Sequence, residues 1–208
     1  MADVDIPSHR EKLKRDQLAK ILSKLKDKYA RVRENAAKGL GRIDNPEAVP
    51  ALIHALTDEA CEVRRAALRA LADIGSKSAI EALMNSLFSH DAEIRSQSAH
   101  FLGATRVYRS SQRLREALRT EHSLAAKENM VEALGRLRDE NSLPLLASFL
   151  HDKESGVRWG AAWSIGMIGR ETKSPQAIIL LRHLEKHHDS RVQHEAASAL
   201  RLINPSQV

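Results

Sequence analysis

Apolar residues recur along this chain in a helical rhythm. From Val32, Val63, Ile94, Ala126, Val157 and Val192, the residues eight positions on are Leu40, Leu71, Leu102, Leu134, Ile165 and Leu200. Eleven positions on stand Ile43, Ile74, Thr105, Leu137, Ile168 and Ile203. Offsets 0, 4, 5, 8 and 11 share one side of a helix of period 3.6, so each start predicts a helix with a single apolar stripe. Offsets 4 and 5 are mostly small, as in Ala36 and Ala37, Ser98 and Ala99, Ala161 and Ala162, and Ala196 and Ala197. Small side chains let neighbouring helices approach closely.

The starts are 31, 31, 32, 31 and 35 residues apart. After each stripe comes a turn signal, such as Asp44-Asn45-Pro46, Gly75-Ser76, Asp139-Glu140-Asn141 or Gly169. A shorter apolar pattern follows, for example Val49-Leu52-Ile53-Leu56, Ile80-Leu83-Met84-Leu87, Leu143-Leu146-Leu150 or Ala177-Leu180-Leu181-Leu184. The repeating unit is therefore a helical hairpin, and one hairpin cannot bury both of its faces. The pattern predicts an all-α fold, an α-solenoid (superhelix) of about six hairpins in one domain, residues 1–208. Residues 1–26 form a basic N-terminal capping helix with an apolar stripe of Leu13, Leu18, Ile21, Leu22 and Leu25, and residues 27–208 form the repeats.

The signature Val-Arg-x-x-Ala-Ala-x-x-Leu-x-x-Ile, preceded five residues earlier by Asp27, Asp58 or Asp152, resembles the short HEAT-like repeats first named from phycobilin lyases. The resemblance covers roughly residues 27–204, with departures at Ser98, Ala126 and Met130 in the third and fourth repeats. It implies that the column Arg33, Arg64, Arg95, Lys127, Arg158 and Gln193 is not a phosphate-binding track. With Asp27, Asp58, Glu121 and Asp152 it would form a structural ladder joining neighbouring hairpins.

Charge adds one feature. The net +6 is uneven, because residues 10–33 hold ten Lys/Arg against Glu11, Asp16 and Asp27. Lys12, Lys14, Arg15, Lys20 and Lys24 are candidates for binding an anion, against the plainer reading of a solvated cap. The start of the chain is polar, no run approaches the roughly 18 apolar residues of a membrane span, and Cys61 is alone. A soluble cytoplasmic protein without a membrane span is expected.

No catalytic constellation is present. There is no Gly-x-Ser-x-Gly, Gly-rich phosphate loop or Cys-x-x-Cys, and Gly166-x-x-Gly169 reads as close packing with a helix stop. His183 and His187 would share a face of a continued helix, and His194-Glu195 resembles one of the His-Glu pairs by which HEAT-repeat deoxyhypusine hydroxylases bind iron. That family needs several such pairs, so neither a metal site nor a cofactor is assigned. Arg115 occupies a normally apolar offset and marks the third hairpin as irregular.

Offsets 2 and 6 are polar in every repeat but the fifth, which has Trp159 and Trp163, with Met167 one turn further. Off the core stripe, they are expected as an exposed contact surface unless a segment such as the one after Gly169 covers them. The second helices should expose His54, Asn85, Arg109, Arg113, Glu116, Ser148, Arg182 and His183, a polar and mildly basic surface suited to an acidic peptide or protein. Trp159, Trp163, Met167, Arg109, Arg113, Arg182 and His183 are the candidate partner-binding residues. The expected function is a non-enzymatic protein-interaction scaffold or adaptor, with self-association left open. The alternatives are a phycobilin-lyase-like or chaperone-like accessory factor and a nucleic-acid-binding solenoid using the basic N-terminal helix.

Overall fold

The computed structural model describes residues 9–43 and 45–203, with side chains from residue 15 onward. Leu13, Lys12 and Lys14 therefore lie in a described helix, but their side chains, and the Asp44 of the first turn signal, fall outside the described part. The described residues form twelve α-helices and three short 3₁₀ turns, with no strand among them. The fold is an all-α solenoid of helical hairpins. It divides into two compact units, residues 1–83 and 84–208.

The first unit contains α1 (His9–Lys24), α2 (Ala30–Ile43), α3 (Val49–Ala55), α4 (Cys61–Ile74) and most of α5 (Lys77–Ser86). The second contains α6 (Ala92–Ala104), α7 (Ser111–Arg119), α8 (Leu124–Leu137), α9 (Leu143–Phe149), α10 (Ser155–Thr172), α11 (Pro175–Leu184) and α12 (Ser190–Ile203). Thus α2/α3, α4/α5, α6/α7, α8/α9 and α10/α11 are hairpins, and α12 is the first helix of a sixth repeat. The expected stripe is the core: Leu40, Leu71, Leu102, Leu134 and Ile165 are all fully buried. In α1, Leu18 is buried and Ile21 lies against Gly39 of α2, while Leu22 and, one residue past the helix, Leu25 remain half-buried.

Local chemistry sets the helix ends. Asp91 caps α6 by accepting the Glu93 N–H at 2.8 Å. Pro50, Pro144 and Pro175 sit in the first turns of α3, α9 and α11, where a missing N–H costs nothing. Gly75, Arg138 and Lys173 end α4, α8 and α10 in left-handed conformation, with φ of 56°, 54° and 55°.

Consecutive first helices approach through a column that the stripe does not show. A Cβ at Gly103 would lie 2.7 Å from the Ala133 Cα, and one at Gly135 would lie 2.7 Å from the Ser164 Cα. Gly41 meets Ala70, and Gly166 meets Ala199, in the same way. In each pair, offset 9 of one repeat faces offset 7 of the next. The Ser164 hydroxyl is satisfied by the Val131 carbonyl at 2.9 Å.

One sequence reading needs correction, and the two irregularities of the repeat find their explanation. Gly169 does not stop a helix; α10 continues to Thr172, and the four residues by which this repeat is longer add about one helical turn instead of a long covering loop. Gly169 serves close packing against Ala177 and Ile203. The irregularity at Arg115 leaves the register of its hairpin intact, because Leu114, Ala117 and Leu118 keep their buried places. Its guanidinium bonds Asp139, which also accepts from the Ser142 hydroxyl in the next hairpin's turn. The departures at Ser98, Ala126 and Met130 are absorbed: all three are fully buried, and the Ser98 hydroxyl donates to the Ile94 carbonyl at 2.7 Å.

Candidate functional site

The basic column is a ladder. Arg33 grips Asp58 with two parallel bonds of 2.7 and 2.8 Å, and Arg95 grips Glu121 with bonds of 2.6 and 2.8 Å. Lys127 meets Asp152 at 2.9 Å, and Arg158 meets Asp189 at 2.7 Å. Each acid also closes its own turn by accepting a backbone N–H two residues on, at Ala60, Ser123, Glu154 and Arg191. The arginines reach back to the carbonyls at the start of their own turns, as Arg33 does to Asp27 and Lys28, and Arg158 to Asp152 and Lys153. At these four junctions charge-assisted bonds orient one repeat on the next, and the cationic groups they occupy are not available to a phosphate backbone.

The electrostatics follow. Arg33 holds the Asp58 carboxyl below its usual range, and Arg158 does the same for Asp189. Burial works to raise Glu121, but the bonds from Arg95 and the Ser123 and His122 N–H groups outweigh it and keep Glu121 low. Asp152 is likewise pushed up by burial and held down by the Glu154 N–H and Lys127.

Sequence reasoning missed Asp189 as the partner of Arg158, because it stands three residues before Val192 and not five. His187 holds the five-before position. Its Nδ1 accepts the Asp189 N–H at 3.0 Å, the turn-closing role an acid has elsewhere, and its Nε2 bonds the Leu150 carbonyl at 3.1 Å. The signal was available: His187 aligns with Asp58 and Asp152 in the repeat. His183 and His187 do not share a helical face, since α11 ends at Leu184. His183 instead bonds the Ile179 carbonyl at 2.8 Å. Among the described residues, no three His, Cys, Asp or Glu side chains are grouped to hold a metal ion.

Trp159, Trp163 and Met167 are half-buried, less exposed than the polar neighbours at their offsets suggest. Gly166 lets α12 come close, so Trp163, Met167 and Arg170 of α10 face Glu195, Ser198 and Leu202 of α12 across a cleft of only about 30 Å³. That is room for about one water and not for a ligand. Leu202 at its edge is 57% exposed.

On the second helices, His54, Asn85, Ser148, Arg182 and His183 are exposed, Arg113 and Glu116 are half-buried, and Arg109 is exposed in the 3₁₀ turn just before α7. Arg113 lies over the Phe88 ring, 4.9 Å from its centroid, and donates to the Asn85 side chain at 2.6 Å. Of the basic residues in α1 whose side chains are described, Arg15, Lys20 and Lys24 are all exposed. No described helix is long and apolar enough to cross a membrane.

The family model for HEAT repeats matches residues 16–87, 50–129 and 112–201. Together these cover most of the chain, which belongs to the HEAT-repeat family. A comparison with curated proteins finds no match. Among solved structures, the chain is similar to one in the complex of CpcE and CpcF of phycocyanin lyase from Nostoc sp. PCC7120. The TM-score is 0.61 at 25% identity, over 98% of this chain and 80% of that one. It also resembles an engineered protein, with TM-score 0.59, 23% identity and 91% and 97% of the two chains covered. A designed armadillo repeat protein in complex with the peptide (KR)4 is similar in fold, with TM-score 0.56, 21% identity and 90% and 100% covered.

Proposed function

We propose that this chain is a protein-binding scaffold that seats a partner on its repeat surface, with Trp159, Trp163 and Met167 as the anchor. The carrying observation is the cleft between α10 and α12. Its aromatic and sulfur-bearing wall is half-buried and borders an exposed Leu202, while the cleft is too small for a small molecule. Rigid, partly buried tryptophan adds contact area at low entropic cost, and such residues dominate binding energy at protein interfaces. Arg109, Arg113, Arg182 and His183 are polar contacts that would add specificity on the second helices.

Quantitative affinity capture with the wild type and a Trp159→Ala, Trp163→Ala variant tests the reading, with circular dichroism to check the fold. The wild type should retain a defined partner, or a second copy of itself, that the folded variant loses. Capture of nothing above background would remove the scaffold reading, and equal capture by both proteins would remove the tryptophans as its anchor.

A second reading, a lyase-like accessory factor, is favoured by the similarity to the phycocyanin-lyase complex over nearly the whole chain. It requires a change in bilin absorbance when this chain is mixed with a bilin and its acceptor protein.

A further inference from the structure

We infer that the groove between the end of α1 and α3, in the first unit, docks a protein segment in which one or two apolar side chains are flanked by carboxylates. This rests on the scaffold reading and supplies a partner chemistry and a second contact point. The groove holds about 230 Å³, and its walls include Leu22, Leu25, Lys26, Pro50, Ala51 and His54. That is below the roughly 300–1,000 Å³ of small-molecule sites, and suits a side chain or two of a longer segment.

The apolar wall exists because the stripe of α1 divides. Leu18 is buried and Ile21 packs near Gly39, but Leu22 and Leu25 are left half-buried at the groove. Lys26 lines the groove, and Arg15, seven residues before Leu22, falls on the same side of α1. The acid among the lining residues, Asp58, is paired with Arg33, which also meets the exposed Glu59 beside it at 3.1 Å. Glu47, exposed one turn before Pro50, does not line the groove. Lys26 is then the charge in the lining that has no ion pair among the described residues, and it attracts a carboxylate-bearing segment and repels a basic one. No Phe, Tyr or Trp lines the groove and His54 is the single ring in its wall, so it lacks the row of stacking rings of single-stranded nucleic-acid sites.

The test is fluorescence anisotropy with the full chain and a labelled Asp-Glu-Leu-Asp-Glu-Phe-Asp peptide. Saturable, salt-sensitive binding is expected, and a peptide with lysine at each acidic position should not bind. Lys26→Glu should weaken binding at least about tenfold, and Ala51→Glu, which fills the groove and repels, should abolish it. Arg42→Glu makes the same charge reversal in the exposed last turn of α2, outside the groove lining, and should stay within about twofold of wild type. Circular dichroism and melting of each variant confirm the fold. Failure of the acidic peptide to saturate, equal weakening by Arg42→Glu, or displacement of the peptide by a single-stranded oligonucleotide at lower concentration than by unlabelled peptide would each overturn the inference. A partner captured by Lys26→Glu as well as by wild type, but lost from the tryptophan variant, would remove the groove and leave the scaffold reading standing.

Discussion

The Nδ1 atom of His187 accepts the backbone N–H of Asp189 at 3.0 Å, and the carboxylate of Asp189 in turn holds Arg158 at 2.7 Å. A ring that accepts on Nδ1 and bonds a carbonyl through Nε2 is neutral, with its proton on Nε2. Protonation of Nδ1 would set two N–H groups against each other and disturb the turn that positions this rung of the ladder.

Stability should therefore depend on pH through His187. Burial, then the neighbouring His188 and His151, lower its pKa, opposed by the Leu150 carbonyl and Asp189. The unfolded chain takes up this proton near pH 6.5 and the folded chain only at lower pH. The contribution is therefore complete above about 6.5 and is lost as pH falls below it, with a slope of at most about 1.4 kcal/mol per pH unit. His187→Asn, which keeps an acceptor for the Asp189 N–H, should flatten the melting temperature between pH 5 and about 7. An unchanged slope in the variant would remove His187 as its source.

Acid should loosen the ladder in a separate range. Asp58, Glu121, Asp152 and Asp189 all sit below their usual values in the folded chain. Their stabilisation is present above the unfolded values near 4 and is lost as pH falls through the folded ones. Urea midpoints should drop below about pH 4.5, and Glu121→Gln should reduce that drop.

The two kinds of ion pair should differ in weight. The Glu121 side chain is 2% exposed and faces a half-buried Arg95, so Glu121→Ala leaves a guanidinium without its partner. A loss of about 2–4 kcal/mol is expected by urea unfolding, somewhat below the range for fully buried pairs because Arg95 keeps some contact with solvent. Asp73→Ala, at the solvent-exposed pair with Arg69, should cost no more than about 0.5 kcal/mol.

Glycine substitutions should change sign with position. At Gly103 an added methyl would lie 2.7 Å from backbone, so Gly103→Ala should destabilise by about 1–3 kcal/mol despite alanine's better helix propensity. At Gly39 the nearest atom is 3.7 Å from that methyl, and Gly39→Ala should stabilise by about 0.5–1 kcal/mol. Thermal melts of the two variants should move in opposite directions.

The periodic sequence determined by itself what a single helix decides: which side of each helix is apolar, where the hairpins before the fifth turn, and which acids and bases recur at ladder offsets. The repeat also made Trp159 and Trp163 stand out, since only the fifth repeat breaks the polar pattern there. What lay beyond it depends on distances between helices. The paired columns of Gly103 with Ala133 and Gly135 with Ser164 follow from close approach of neighbours, and a stripe within one helix carries no such distance. That approach half-buries Trp163 beside α12, and it keeps Gly169 inside a helix although its residue type suggests a stop. The exchange of roles between His187 and Asp189 was likewise decided in three dimensions. A turn needs an acceptor and an arginine needs a carboxylate, but only folded geometry assigns those tasks to two residues instead of one.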